Sequence, residues 1–172
     1  TDSAHGEARI TKITGERVRD ALGDEKVVIV AGFQGVDPQS REVTTLGRGG
    51  SDTTAVALAA TLDAEVCEIL TDVDGVYTAD PRIVVGAEKL ATINHRQMLA
   101  LALAGAGVLM PHSVEFAMEH DVTVHVRSSL NDEPGTIVGL GTPDLDFAGI
   151  AGQLSDGAGK VTLVGSREVE AS

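Results

Sequence analysis

Aromatic residues and cysteine are scarce in this sequence. Among its 172 residues there is no tryptophan, Tyr77 is the single tyrosine, and three phenylalanines occur. Because hydrophobic residues still make up 42% of the chain, we expect an ordered domain with an aliphatic core and not an acidic disordered segment. The lone cysteine, Cys67, excludes an internal disulfide, which favours a reducing, cytoplasmic setting.

Basic residues and long apolar runs are also few. Lys and Arg total 13 against 26 Asp and Glu, which gives a formal net charge of −13. Such a charge repels nucleic acids and anionic lipid surfaces, so we expect no partner of either class. No apolar run approaches the roughly 18 residues that a membrane span needs, so we expect no membrane segment. Any phosphate that binds must be held by local groups.

The residue types that bind metals show no metal-site spacing. The five histidines are dispersed along the chain at His5, His95, His112, His120 and His125. The run from Asp72 to Gly75 lacks the third acidic position and the closing glutamate of a calcium-binding EF-hand loop. We therefore predict no metal held by the protein itself.

Strand and helix patterns alternate along the chain. An alternating segment over 8–13 and a β-branched run over 27–31 predict strands, the second buried on both faces as in a parallel sheet. The other predicted strands cover 43–46, 66–71, 122–126 and 135–138. The predicted helices cover 18–22, 53–62, 96–106 and 111–119. This order predicts an α/β fold, a three-layer α/β/α sandwich around a mostly parallel sheet.

Composition changes near residue 139. Gly, Pro and Asp accumulate over 139–155, which indicates a linker, and Lys160–Val164 is predicted as a last strand with no partner in the chain. We therefore divide the chain into a domain over 1–139 and a short segment over 140–172.

The first chemical constellation is a glycine-rich segment between a predicted strand and a predicted helix. It has the sequence Gly47-Arg48-Gly49-Gly50-Ser51-Asp52. Backbone amides and the positive end of a helix dipole favour an anion there, and the Arg48 guanidinium suits a carboxylate or a phosphate. The alternative is a glycine turn in which Ser51 or Asp52 caps the helix, which leaves Arg48 without a role.

The second constellation follows the predicted strand over 66–71. Asp72, Asp74 and Tyr77 stand at its carboxyl end, the edge at which open α/β sheets bind ligands. The carboxylates are placed to face a nucleotide or a metal, the tyrosine ring could stack on a base, and Arg82 adds a cation nearby. The alternative is ordinary turn chemistry, which favours the same Asp and Gly residues.

Four segments together resemble the aspartate kinases of the amino acid kinase family. They are Val30-Ala31-Gly32-Phe33-Gln34-Gly35, the stretch over 44–55 around Gly47-Arg48-Gly49-Gly50, the stretch Thr71-Asp72-Val73-Asp74-Gly75-Val76-Tyr77 continued to Arg82, and Val126-Arg127-Ser128-Ser129. The resemblance extends from about Gly6 to Val138. It implies the amino acid kinase fold, with residues 1–139 as the carboxyl-terminal, nucleotide-binding part of the kinase domain.

The resemblance also implies an activity and a set of roles. ATP, with Mg²⁺ on its phosphates, would phosphorylate the side-chain carboxylate of L-aspartate to 4-phospho-L-aspartate, the entry to lysine, methionine and threonine biosynthesis. The roles it gives to aspartate binding fall on Arg48, Gly49, Gly50, Ser51 and Asp52. Ser51 and Asp52 would also organise catalysis, with Asp52 either binding the substrate ammonium or orienting catalytic groups. The nucleotide contacts it implies are Thr71, Asp72, Tyr77 and Arg82.

The sequence departs from the family pattern at cationic positions. The family begins its kinase domain with Lys-x-Gly-Gly-Ser/Thr and later carries a Gly-Glu-Arg helix, neither of which is recognised here, and Gly107 stands where the family has a lysine on the ATP phosphates. We therefore expect a fold incomplete at its N-terminus, with weak or no turnover by the chain alone, in a homo-oligomer or a complex with a complete kinase chain. The alternative is a non-catalytic nucleotide-binding or regulatory subunit.

The end of the sequence has a second resemblance. Phe147–Ile150 and Lys160–Gly165 are similar to the entry and first strand of the regulatory ACT module. The resemblance implies that 140–172 comprises a linker and the start of such a module.

Overall fold

The computed structural model describes residues 1–139, 141–155 and 158–166. Within these ranges the helices are α1 (Glu16–Gly23), α2 (Gly50–Leu62), α3 (His95–Leu103) and α4 (Pro111–Glu119). The strands are β1 (Gln34–Val36), β2 (Val43–Thr45), β3 (Cys67–Thr71), β4 (Thr92–Ile93), β5 (Val124–Ser128), β6 (Thr136–Val138), β7 (Gly149–Ser155) and β8 (Ala158–Val164). No helix in these ranges has the length and apolar character needed to span a bilayer.

The central sheet has the strand order β3-β5-β6-β4. The pairs β3/β5 and β4/β6 are parallel, whereas β5/β6 is antiparallel. Helices join these strands in the predicted order, so the α/β class and the parallel pairing are confirmed. The sequence pattern missed β4, because two residues are too few to show a period of two.

The core lies between this sheet and three helices. Along β3, Cys67 and Ile69 are buried, while Glu68 and Leu70 alternate with them and are exposed. The buried side of the sheet packs against α2, α3 and α4, whose innermost side chains are aliphatic or methionine. Representative core residues are Val56, Ile93, Met98, Leu101, Val114 and Val126.

Two predicted strands are not formed. Of residues 8–13, Ala8 contacts β2 through its amide, 3.0 Å from the Thr45 carbonyl oxygen, and no ladder follows. In the segment 27–31, predicted to be buried on both faces, Val27 and Ile29 are each 94% exposed. A strand needs a neighbour for its backbone hydrogen bonds, and among the described residues neither segment has one. The apolar pattern indicates a preference for burial but does not supply the partner.

The prediction that Lys160–Val164 lacks a partner is wrong. This stretch lies in β8, which pairs with β7 along its whole length as an antiparallel hairpin. The hairpin occupies part of the predicted linker. Its Gly149 lies so close to Thr78 that a Cβ atom would stand 2.8 Å from the Thr78 carbonyl oxygen, so glycine is required there. Small residues such as Gly149 and Gly152 weaken the alternation that marks a strand, which is why the pattern missed it.

The hairpin region is bound to the rest of the chain at two places. The Ile150 amide donates to the Thr78 carbonyl at 2.7 Å. The buried Gln97 side chain forms two hydrogen bonds with the backbone of Leu145, 2.7 Å to its carbonyl oxygen and 3.0 Å from its amide. Residues beyond the composition change at 139 thus pack directly onto α3 and onto the loop after β3.

The buried position of Cys67 makes its thiol a probe of folding. Burial, and secondarily the charge of Asp52, raises the pKa of this thiol to about 11. The thiolate is the reactive form, so at about pH 8 we expect the native protein to react very slowly with an aromatic disulfide reagent and the unfolded protein to react rapidly. Stopped-flow absorbance with and without denaturant measures both rates. Fast labelling of the native chain would contradict the position of β3.

Candidate active site

Chain topology gathers several loops at one edge of the sheet. The parallel strands β3 and β5 end there at Thr71 and Ser128. Short connections over 63–66 and 120–123 join α2 to β3 and α4 to β5, so each helix runs back along its strand and its N-terminus lies at the same edge. The segments brought to this edge are 47–52, 71–82, 107–111 and 128–129.

The N-termini of α2 and α4 contact each other. Gly49 has a φ of +75° and lies against the Met110 side chain, which leaves no space for a Cβ atom. Met110 is the residue that precedes α4, and no side chain caps either helix. The glycine at position 49 therefore allows a left-handed turn and a close approach of the two helix starts.

The capping alternative for Ser51 and Asp52 is wrong. The Ser51 hydroxyl lies 3.2 Å from Asp52 Oδ1 and donates to it, and neither side chain bonds to a first-turn amide. The Gly50 amide donates to the Gly47 carbonyl, so the turn itself uses it. Within the described ranges, the amides of Gly49, Ser51 and Asp52 have no acceptor. This helix start therefore presents free donors at its positive end.

Arg48 and Asp52 provide opposite charges beside these amides. Arg48 is exposed and makes no hydrogen bond or ion pair with any residue of the described part of the chain. Asp52 is half-buried, and burial raises its pKa, an effect that the hydrogen bond from Ser51 partly opposes. A free guanidinium and a desolvated carboxylate this close in sequence suit a ligand that carries both a carboxylate and an ammonium group.

The loop after β3 is held at its start by the end of β5. The Thr71 carbonyl accepts hydrogen bonds from the Ser129 amide at 2.8 Å and from the Ser129 hydroxyl at 3.1 Å. The Thr71 hydroxyl donates to Asp72 Oδ1 at 3.1 Å. Thr71 and Asp72, both predicted nucleotide contacts, therefore stand together at the sheet edge, with Asp72 exposed.

Arg82 is oriented by its neighbour Asp80. Its Nε lies 2.9 Å from Asp80 Oδ1 and its Nη2 lies 2.7 Å from Asp80 Oδ2. This two-point pairing lowers the pKa of Asp80 to about 2. The Arg82 side chain is nevertheless 87% exposed, and its Nη1 faces no partner among the described residues. The ion pair thus fixes the guanidinium and leaves donors for an anionic ligand.

Tyr77 is held from one side by Asp74. Its hydroxyl lies 2.9 Å from Asp74 Oδ1 and donates to it, and burial together with this bond raises the pKa of the phenol. Asp74 therefore faces the interior of the loop, which agrees with the turn alternative for this residue. The ring of Tyr77 is partly exposed.

Sequence reasoning gave no role to three residues that support this loop. Lys89 approaches Asp74 and Glu133, and Thr136 lies under the turn at Gly75. These contacts join residues far apart in the sequence, so no local spacing signals them. The glycine at position 75 was the available sign, since a glycine in a turn often marks the close approach of another group.

We expect substitution of Thr136 by valine to destabilise the fold. The Thr136 side chain is fully buried and accepts from the Val76 amide at 2.9 Å while donating to the Leu90 carbonyl at 2.6 Å. Valine has a similar shape but leaves both backbone groups unpaired, which should lower the free energy of unfolding by about 2 to 4 kcal/mol. Urea unfolding measures this difference.

The matched control for that substitution is Thr92→Val. Thr92 is exposed on β4, the strand that pairs with β6, and its replacement should change the free energy of unfolding by less than about 0.5 kcal/mol. Equal effects of the two substitutions would show that the Thr136 hydroxyl does not anchor the loop.

Comparisons with known proteins agree with this arrangement. The amino acid kinase family model matches residues 1–128. An aspartokinase of Mycolicibacterium smegmatis is 53% identical over 98% of this chain, and one of Bacillus sp. strain MGA3 is 56% identical over 80% of it. The chain spans 41% and 33% of the lengths of these two relatives.

A solved structure shares the fold. Crystalline E. coli aspartokinase III in complex with aspartate and ADP superposes with a TM-score of 0.75 at 34% identity. The match covers 89% of this chain and 35% of that protein. From the extent of the family match and this shared fold, the chain belongs to the amino acid kinase family.

Proposed function

We propose that this chain acts in an aspartate kinase, transferring the γ-phosphoryl group of MgATP to the side-chain carboxylate of L-aspartate. The observation that carries the proposal is the unpaired Arg48 next to the desolvated Asp52, at a helix start that shares one sheet edge with the loop over 71–82. The aspartokinases described above support the assignment of substrates, and one of them was solved with aspartate and ADP.

The chemistry requires positioning more than proton transfer. The substrate carboxylate is already a nucleophile, so no general base is needed, and catalysis depends on in-line placement and on neutralising charge at the phosphoryl group. Arg48 would bind one substrate carboxylate and Asp52 the ammonium. The free amides of Gly49, Ser51 and Asp52 would donate to anionic oxygens, with the Ser51 hydroxyl beside them.

The nucleotide would lie on the loop after β3. Thr71 and Asp72 would contact it at the sheet edge, the Tyr77 ring would pack against it, and Arg82 would donate to its phosphates through the groups that Asp80 leaves free. Mg²⁺ would enter with ATP as part of the substrate. These contacts do not include a lysine at position 107, so we propose that turnover is slow.

A second candidate function is a nucleotide-binding subunit that needs another kinase chain for turnover. The observation that favours it is the β-branched segment over 27–31, whose Val27 and Ile29 are almost fully exposed and unpaired among the described residues. An apolar stretch of this kind suits addition of a strand from a partner. The two candidates share the nucleotide site and differ in activity of the chain alone.

An acyl-phosphate trapping assay tests the proposal. With MgATP, hydroxylamine and L-aspartate, we expect slow formation of aspartyl hydroxamate, and none with D-aspartate. Arg48→Met should abolish the product, whereas Arg17→Met, at an exposed position of α1, should leave it unchanged. Titration calorimetry with Mg·ADP completes the test. Nucleotide binding without product favours the second candidate, and cooperative folding with neither property overturns both.

A further inference from the structure

Lys89 lies directly opposite Tyr77 in a short antiparallel contact. The two residues form a bridge, flanked by hydrogen bonds from the Thr78 amide to the Glu88 carbonyl at 2.9 Å and from the Leu90 amide to the Val76 carbonyl at 2.8 Å. This is the non-hydrogen-bonded type of pair, in which facing side chains are closest and lie on the same side.

The aliphatic part of Lys89 supports the turn that precedes Tyr77. A Cβ atom at Gly75 would stand 3.1 Å from Lys89 Cδ and 2.6 Å from Thr136 Oγ1, so the lysine stem and the threonine fill the space that a side chain would need. Gly75 also has a φ of +144°. The Lys89 side chain is only 20% exposed.

The ammonium group of Lys89 joins two loops. Its Nζ lies 2.9 Å from Glu133 Oε2 and 3.7 Å from Asp74 Oδ2, while the other oxygen of Asp74 accepts from the Tyr77 hydroxyl. The contacts thus run from Glu133 through Lys89 and Asp74 to the phenol. With both carboxylates around it, this ammonium is engaged within the loop.

We propose that Lys89 is a positioning residue for the nucleotide, which fixes Asp74 and through it the Tyr77 ring before the ligand arrives. The inference rests on the proposed function, in which the nucleotide packs on Tyr77. Without the ammonium, Asp74 and Glu133 would repel each other and the phenol would lose its fixed acceptor. Nucleotide affinity should then fall, while L-aspartate binding at Arg48 and Asp52 should not change.

The composition of the chain makes this inference measurable. Tyr77 is its single tyrosine and there is no tryptophan, so ultraviolet absorbance and intrinsic fluorescence report the Tyr77 environment. The positive charge of Lys89 lowers the pKa of Tyr77, against the raising effects of burial, Asp74 and Glu133. In Lys89→Met, spectrophotometric titration should therefore show a higher phenol pKa than in the wild type, with Lys89→Arg close to the wild type.

Binding measurements complete the experiment. In Lys89→Met, we expect the Kd for Mg·ADP to rise about 5- to 20-fold and that for L-aspartate to stay within about twofold, as when one coupled contact is lost. Lys89→Arg should retain nucleotide affinity within about twofold. In a Tyr77→Phe background, Lys89→Met should add less than about a twofold loss, because the hydroxyl that the lysine acts through is gone.

The outcomes separate this inference from the function on which it rests. If the wild type binds Mg·ADP and Lys89→Met binds it equally well, or loses L-aspartate to the same extent, the positioning role is overturned and the proposed function stands. If the wild type binds no Mg·ADP, both fail together.

Discussion

Replacing Gly107 by lysine is expected to tighten MgATP binding and to raise turnover by about 100-fold, the effect typical of one cationic or hydrogen-bonding clamp on a phosphoryl transition state. Gly107 lies in the segment that leads into α4, whose start contacts the glycine-rich turn at Gly49. It is exposed, and a Cβ atom there would meet nothing within 4 Å. The position thus accepts a side chain without rearrangement of its surroundings.

The charge of the new side chain is the variable to isolate. Gly107→Gln adds a long polar side chain without charge and should give at most about a threefold gain, since a neutral donor is weaker than a cation. Gly105 is a negative control for position, because its φ of +106° and a clash with Gln153 leave no room for a side chain. Calorimetry with MgADP and hydroxamate formation measure both effects. Equal gains from lysine and glutamine would show that residue 107 does not face the phosphates.

We expect Asp52→Asn to reduce hydroxamate formation by about 10²- to 10³-fold, because the substrate ammonium loses its counter-charge. The same change should not destabilise the protein near neutral pH. Burial raises the pKa of Asp52, so the ionised carboxylate is disfavoured in the folded chain above the folded-state pKa. This penalty disappears as the pH falls below the ordinary value of 3.8, where both states are protonated. Wild type and variant should therefore approach equal stability in acid.

A control at the other end of the same helix separates charge at the site from charge on the helix. Asp63 follows α2 in a left-handed conformation, with a φ of 53°, that asparagine also adopts readily. Asp63→Asn should leave hydroxamate formation unchanged. Thermal unfolding of all three proteins at neutral and acid pH completes the comparison. A fall of several degrees in the Tm of Asp52→Asn at neutral pH, or retention of half its activity, would contradict the role given to this carboxylate.

Local sequence patterns predicted the elements whose surroundings are local. The strand predicted over 66–71 is β3, and the helix predicted over 53–62 is α2, which begins three residues earlier because Gly49 adopts a left-handed conformation. The segment over 27–31 was predicted as a strand from the same kind of pattern, yet it has no neighbour to pair with among the described residues. Residue type determines a preference for burial, whereas pairing depends on distant parts of the chain.

The candidate site shows the same division. Arg48, Asp52 and Arg82 belong to compact motifs, so their types and order were visible in the sequence. The support of the nucleotide loop was not, because Lys89 reaches Glu133 across 44 positions. Such a contact exists only after the sheet has brought β4 and β6 together.

The attachment of the β7/β8 hairpin bears on how this chain should be divided for biochemical work. A fragment ending at the composition change near 139 would expose the Gln97 amide that Leu145 covers, and would remove the amide bound to the Thr78 carbonyl, next to Tyr77. Such a fragment would carry a loosened nucleotide loop, and its weak ligand binding would be mistaken for a property of the intact protein. Expression boundaries chosen for crystallography or binding studies should therefore lie beyond Ser166.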